Sequence, residues 1–293
     1  MERAESGRCH THRHPTDRPM MGSVRLKLSE EDHLTGGAVV DLVPEPVMEA
    51  NALGSLTADP AFRSTTYVVI DFEATTPTGY PSQPIEIAVL ALRYGDGGWR
   101  ETGRSTSLIR PPAFAPVTPA DTAQTGLTAA QLSAAPTPSL ALGAVDRRFA
   151  DGTPYLLVAQ HAATEANLIH NQQEHCPTLA RIDFLDTIPL AKYCVPGLTN
   201  YRLDTLLAHF SIAQPADRHR ATADVDVTAQ VFRRLINLAD DGGSIGNLAS
   251  LVKIAGRRAK ANLPRQVGLF ELPPTASTKG TRPSWKDGAR QDE

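Results

Sequence analysis

The chain has 293 residues and a net charge of −3, with 41% hydrophobic and 21% charged residues, a soluble composition with room for one large domain or two small ones. That balance excludes a globally basic nucleic-acid binder, so any contact with a polyanion must rest on local charge. Cys9, Cys176 and Cys194 form no C-x-x-C pair, which argues against a disulfide framework or a structural zinc site and fits a reducing cytoplasm. No apolar run approaches membrane-spanning length, and the amino terminus lacks the apolar core of a signal peptide. The expectation is a cytoplasmic protein that does not engage a membrane.

Residues 1–63 mix Arg, His, Thr, Pro, Glu and Gly without sustained periodicity and read as a disordered tail. Cys9, His10, His12 and His14 match no zinc pattern with four ligands. Met20 and Met21 leave the translation start open. The core is expected over residues 64–240. Tyr67–Ile70 is an apolar run typical of a short buried strand, and it ends in Asp71 and Glu73. After a Pro/Gly/Thr loop, Ile85–Leu92 reads as a strand, Gly95–Gly98 as a hairpin turn and Trp99–Ile109 as a third strand. This opening is an antiparallel meander.

Pro111–Pro119 is proline-rich, and Thr118–Leu132 suggests short helical turns with a capping box at Thr128–Gln131. Pro138–Phe149 has helical spacing. Tyr155–Ala159 reads as a buried strand, Ala162–His175 as a helix and Ile182–Leu185 as a short strand. Asp186–Tyr193 and Leu203–Phe210 follow as helices. Thr222–Ala239 is the longest helical pattern, with Val225, Thr228, Val231, Phe232 and Leu235 three or four apart. Strands first, then strands alternating with helices, predict an α/β fold with a mixed sheet flanked by helices. Residues 241–293 are expected to hold one further helix, Ile245–Ile254, and a basic, mostly disordered tail. Lys253, Arg257, Arg258, Lys260 and Arg265 there could contact phosphates or simply solubilise the surface.

Three segments carry chemistry. Asp71 and Glu73 are two apart on a strand and share a face. Two carboxylates held so close repel each other, and a hard divalent cation relieves the conflict. Glu165 falls in the first turn of the helix after Tyr155–Ala159, a place where an acid also simply favours the helix dipole. His219 precedes the long helix on a loop, which suits a reactive imidazole. Asp224 lies within that helix's first turns. Asp226, two residues on, points elsewhere and reads as solvated.

In this order the segments resemble the DEDDh (DnaQ-like) 3′–5′ exonucleases, which have the RNase H-like fold. The resemblance covers about Ser64–Ala239. The D-x-E of Asp71 and Glu73 is similar to the first family motif, the segment around Glu165 to the second, and the H-x-x-x-x-D of His219–Asp224 to the third. Thr125-Gly-Leu-Thr128 and Leu185-Asp-Thr187 resemble two further recurring segments. In the second motif the family usually has aspartate within H-N-A-x-F-D; here Gln160-His-Ala-Ala-Thr-Glu165 has a glutamate, and His161 stands at the usual Asn.

The resemblance implies hydrolysis of phosphodiester bonds with two divalent cations, Mg²⁺ or Mn²⁺. Asp71 would bridge both ions, Glu73 and Asp224 would complete the first site, and Glu165 would hold the second. His219 would act as general base. The implied substrate is a single-stranded or frayed DNA or RNA 3′ end and the product a nucleoside 5′-monophosphate. A DNA polymerase partner would be a separate chain. The alternatives are a catalytically weak nucleic-acid-binding or accessory module of the same fold, favoured by the unusual Glu165, and a small phosphatase built on the same carboxylates.

Overall fold

Alternating burial along Tyr67–Phe72 lays down the central strand. Tyr67 and Val69 enter one apolar cluster, and Val68, Ile70 and Phe72 enter the opposite one, the two-residue period of a strand covered on both faces. The computed structural model describes residues 54–264, which lie within one compact unit. β1 (Thr66–Thr75), β2 (Gln83–Gly95) and β3 (Gly98–Leu108) form the expected antiparallel meander. β4 (Tyr155–Ala159) and β5 (Phe184–Asp186) continue the sheet beyond β1 as parallel strands. The two-residue β6 (Gly256–Arg257) pairs antiparallel with β5, so the order is β3-β2-β1-β4-β5-β6.

Helices cover both faces. α4 (Pro138–Asp146) and α5 (Ala162–Asn171) pack on the Val68 side through Leu142, Val145, Ala166 and Ile169. On the Tyr67 side lie α6 (Thr187–Cys194), α7 (Leu203–His209), α8 (Ala221–Asp241) and α9 (Leu248–Ala255). α8 buries Val225, Phe232, Leu235 and Ile236, the three-to-four spacing that its sequence predicts. Between β3 and α4, α2 (Pro119–Thr125) and α3 (Ala129–Ser133) each begin with a capping box, Thr118 with Asp121 and Thr128 with Gln131. The α/β mixed sheet flanked by helices is as the sequence predicts.

Three boundaries differ from expectation. β1 does not stop at Ile70, because Asp71, Phe72 and Glu73 pair with Ala88, Ile87 and Glu86 of β2; the acids lie inside the strand, just before a bulge at Glu73/Ala74. Residues 56–63 are not tail. A 3₁₀ turn at Leu56–Ala58 and α1 (Pro60–Ser64) bury Leu56 and Phe62 fully, and Phe62 packs its ring on Tyr67, Tyr94 and Trp99. The segment after α8 also folds back. Ile245, Leu251, Ala255 and Ala259 are buried, and the Ala259 amide donates to Asp183 at 2.8 Å. At Gly256 a Cβ would meet Val252 O at 2.3 Å, so only glycine allows the turn from α9 into β6. The expected tails at residues 1–53 and 265–293, with the Cys9–His14 cluster and Arg265, lie outside the described residues.

Candidate active site

Because β1, β4 and β5 are parallel, their carboxyl ends open on the same edge of the sheet, the place where α/β folds bind ligands. Asp71 and Glu73 reach this edge from β1. Phe72 between them is buried in the opposite cluster, which sets both acids on the α8 side. Glu165 comes from the first turn of α5 and is buried. Asp224 comes from the first turn of α8 and is buried too. His219 is exposed on the loop before α8. Glu73, His219 and Asp224 each offer a ligand atom within 4.8 Å of the other two. Asp71 feels the charges of Glu165, Asp224 and Glu73. All five predicted site residues thus converge. Asp226 turns away and pairs with Arg104 at 2.8 Å.

Both acid-bearing helices are entered through a strained histidine. His161 (φ 67°) precedes α5 and His219 (φ 66°) precedes α8, a left-handed backbone that Asn and His tolerate better than most residues. The exposed His161 ring bonds Thr164 Oγ1 at 2.9 Å in the next turn. Asp186 then binds two helix starts, accepting from the Ala162 amide of α5 at 3.0 Å and from the Ile188 amide of α6 at 2.9 Å. Glu86 does the same for α8. It is 1% exposed, accepts the Ala221 amide at 3.0 Å and holds Arg220 through two bonds of 2.7 and 3.0 Å. This bidentate pair fixes the residue next to His219 and offsets the like charge of Glu73 directly across the ladder.

The carboxylate cluster is electrostatically loaded. Burial, followed by the charges of Glu165, Asp224 and Glu73, pushes Asp71 well above the usual carboxylate range. Burial and the neighbouring Asp224 and Glu86 push Glu73 up to about 8. Burial, then Asp186 and Glu73, push Glu165 up to about 8. Arg218 is the partial counterweight: it forms an ion pair with Asp224 and donates through Nε to Asp204 at 3.1 Å. Even so, Glu165 Oε2 and Asp224 Oδ1 are buried without a hydrogen-bond partner. Unpaired anionic oxygens on buried groups are costly, and cations satisfy them.

The exonuclease family model RNase T matches residues 68–232, more than half of the chain. The chain belongs to the RNase T exonuclease family. All four acids and His219 fall inside the matched span of this exonuclease domain. Among curated relatives, a PolC-type DNA polymerase III from Caldanaerobacter subterraneus subsp. tengcongensis is 27% identical over 127 residues, 43% of this chain but only 8% of that polymerase. The nuclease domain of 3′hExo, described as a DEDDh family member bound to rAMP, aligns with a TM-score of 0.51 at 17% identity, covering 63% of this chain and 96% of that one. The cell-death related nuclease CRN-4 aligns with a TM-score of 0.51 at 14% identity, covering 60% of this chain and 66% of that one. The exonuclease domain therefore has the RNase H-like fold of DEDDh 3′-exonucleases.

Glu86, Arg218 and Arg220 of the domain belong to no motif in the sequence, and Asp186 is marked there only as part of Leu185-Asp-Thr187. Glu86 sits in an apolar strand, and a buried acid amid Ile85, Ile87 and Ala88 was the available signal. Asp186 stands directly before α6, an ordinary N-cap position. The two arginines flank His219 but carry no spacing of their own.

Proposed function

We propose that this exonuclease is a metal-dependent 3′–5′ enzyme that takes single-stranded or frayed nucleic-acid ends and releases nucleoside 5′-monophosphates. The convergence of Asp71, Glu73, Glu165 and Asp224, with buried oxygens of Glu165 and Asp224 left unpaired, carries this reading. Such an all-oxygen donor set suits two hard cations, Mg²⁺ or Mn²⁺. Asp71 would be the shared ligand, since the charges of all three other acids bear on it. Glu73 and Asp224 would serve the ion beside His219, and Glu165 the other. When bound, such ions neutralise the phosphodiester and lower the pKa of water.

The chain's own groups supply the rest. His219, exposed at the mouth beside Glu73 and Asp224, takes the proton of the attacking water; a general base of this kind is worth about 10²–10⁴-fold. Glu86 and Arg220 hold the loop that carries it. Arg218 neutralises Asp224, and its second bond to Asp204 leaves it a partner when a cation takes over that carboxylate. The PolC-type relative favours a DNA end and association with a polymerase, whereas a neighbour described as recognising a histone mRNA stem-loop favours RNA. The longer Glu165 side chain favours a second reading, a binding module with little turnover.

The test is a 5′-labelled single-stranded DNA and its RNA counterpart, incubated with Mg²⁺, Mn²⁺ or EDTA beside Asp71→Ala and His219→Ala. A metal-dependent ladder shortening from the 3′ end is expected. It should vanish in Asp71→Ala and slow by about 10²–10⁴-fold in His219→Ala. A folded wild-type chain that binds both polymers and cuts neither would establish the binding module instead.

A further inference from the structure

Two large aromatic side chains stand in solvent. Tyr80 is 58% and Phe114 49% exposed, and their rings stack on each other with centroids 4.8 Å apart and planes tilted by 34°. A single exposed ring is unremarkable, but two from separate loops, packed together and each about half exposed, form a built surface. Each ring sits on a stiffened turn. The Tyr80 amide closes onto Pro77 O at 3.3 Å, and the Ala115 amide beside Phe114 closes onto Pro112 O at 2.9 Å. Pro77, Pro81, Pro111 and Pro112 restrict both loops before any ligand arrives, and the buried Ala115 anchors the second.

Both loops rise from the acid-bearing edge of the sheet. Tyr80 is three residues from Gln83, the ladder partner of Thr75 at the end of β1, so its Cα is within about 11 Å of the Gln83 Cα. Phe114 follows Ile109, which bonds Ile85 next to Glu86. The two loops, residues 76–82 and 109–118, contain one charged side chain, the exposed Arg110, and no acid. An aromatic face with a cation and no carboxylate suits a polyanion with flat, unpaired bases.

We propose that Tyr80 and Phe114 form a stacking subsite for unpaired bases upstream of the 3′-terminal nucleotide, with Arg110 available to the strand's phosphates. This rests on the nuclease reading above and extends it to substrate choice. A single strand can lay a base on the rings, whereas a paired end keeps its bases in its own stack. The subsite therefore favours single-stranded over duplex ends and chains of several nucleotides over the shortest ones.

The test compares wild type, Tyr80→Ala, Phe114→Ala and Tyr80→Phe on a single-stranded 12-mer and on 4-nitrophenyl thymidine 5′-phosphate, which has one base and no upstream strand. Binding of the labelled 12-mer in Ca²⁺ is followed by anisotropy. Either alanine variant should weaken 12-mer binding roughly 5- to 30-fold and lower its kcat/KM by a similar factor relative to that of the nitrophenyl ester. Tyr80→Phe, which keeps the ring, should restore both. If wild type cleaves both substrates and the alanine variants bind the 12-mer as tightly as it does, the subsite is overturned and the rings become a protein-docking surface. A wild type inert on both substrates would instead overturn the nuclease reading itself.

Discussion

Glu165 shows why a buried, unpaired acid costs stability. It is buried in the first turn of α5 with Oε2 unpaired, and its carboxyl is held up to about 8 by burial, Asp186 and Glu73. Ionising it in the folded, metal-free chain is unfavourable, so removing the charge should help the fold and harm the chemistry. Glu165→Gln is therefore expected to raise the melting temperature in EDTA at pH 8.5 while cutting 3′ trimming by roughly 10²-fold or more. Calorimetry beside the ladder assay checks both, and a variant that is less stable without metal would show that the carboxylate is satisfied in some other way.

Among the elements, α8 depends on a residue far away in sequence. Its first amide and the Arg220 guanidinium are both held by Glu86 of β2, so the helix that carries Asp224 is placed by the sheet. Glu86→Ala removes a cap and a buried ion-pair partner together, at a cost of about 2–4 kcal/mol. Denaturant unfolding should show that loss, and kcat should fall because the His219 loop slackens. α1 makes a comparable case at the other end of the core. Phe62 is fully buried against Tyr67, Tyr94 and Trp99. Phe62→Ala should cost about 3–5 kcal/mol, whereas a true tail residue would cost nothing measurable.

For the whole molecule, the carboxylate cluster should tie stability to pH and to metal. Glu73 and Glu165 sit at about 8 when folded against an ordinary 4.5. Their preference for the protonated form stabilises the fold fully below the ordinary value and is lost as pH rises towards 8. The metal-free protein should therefore melt roughly 5 °C or more lower at pH 8.5 than at pH 5.5. Mg²⁺ should reverse this, raising the melting temperature more at pH 8.5 than at pH 5.5, since a cation binds the ionised carboxylates. Equal Mg²⁺ increments at the two pH values would mean that these acids do not bind the ion. Among the described residues no helix is long and apolar enough to cross a membrane.

Periodicity alone determined most of the elements of this protein. Two-residue alternation marks β1 and three-to-four spacing marks α8, because local burial patterns are written into neighbouring residues. The D-x-E spacing likewise sets Asp71 and Glu73 on one face, since strand geometry translates short spacing into direction, whereas His219 and Asp224 stand out through the resemblance of H-x-x-x-x-D to a family motif. The tertiary structure decided what depends on distant partners. Only pairing with β2 carries β1 past Ile70, only the ring cluster holds Phe62 inside, and only long-range contacts, β6 with β5 and Ala259 with Asp183, fold the last basic segment back. Glu86 and Arg220 lie 134 residues apart, and Tyr80 meets Phe114 across two loops. Neither contact leaves a local pattern, because charge pairing and ring stacking act through space and not along the chain.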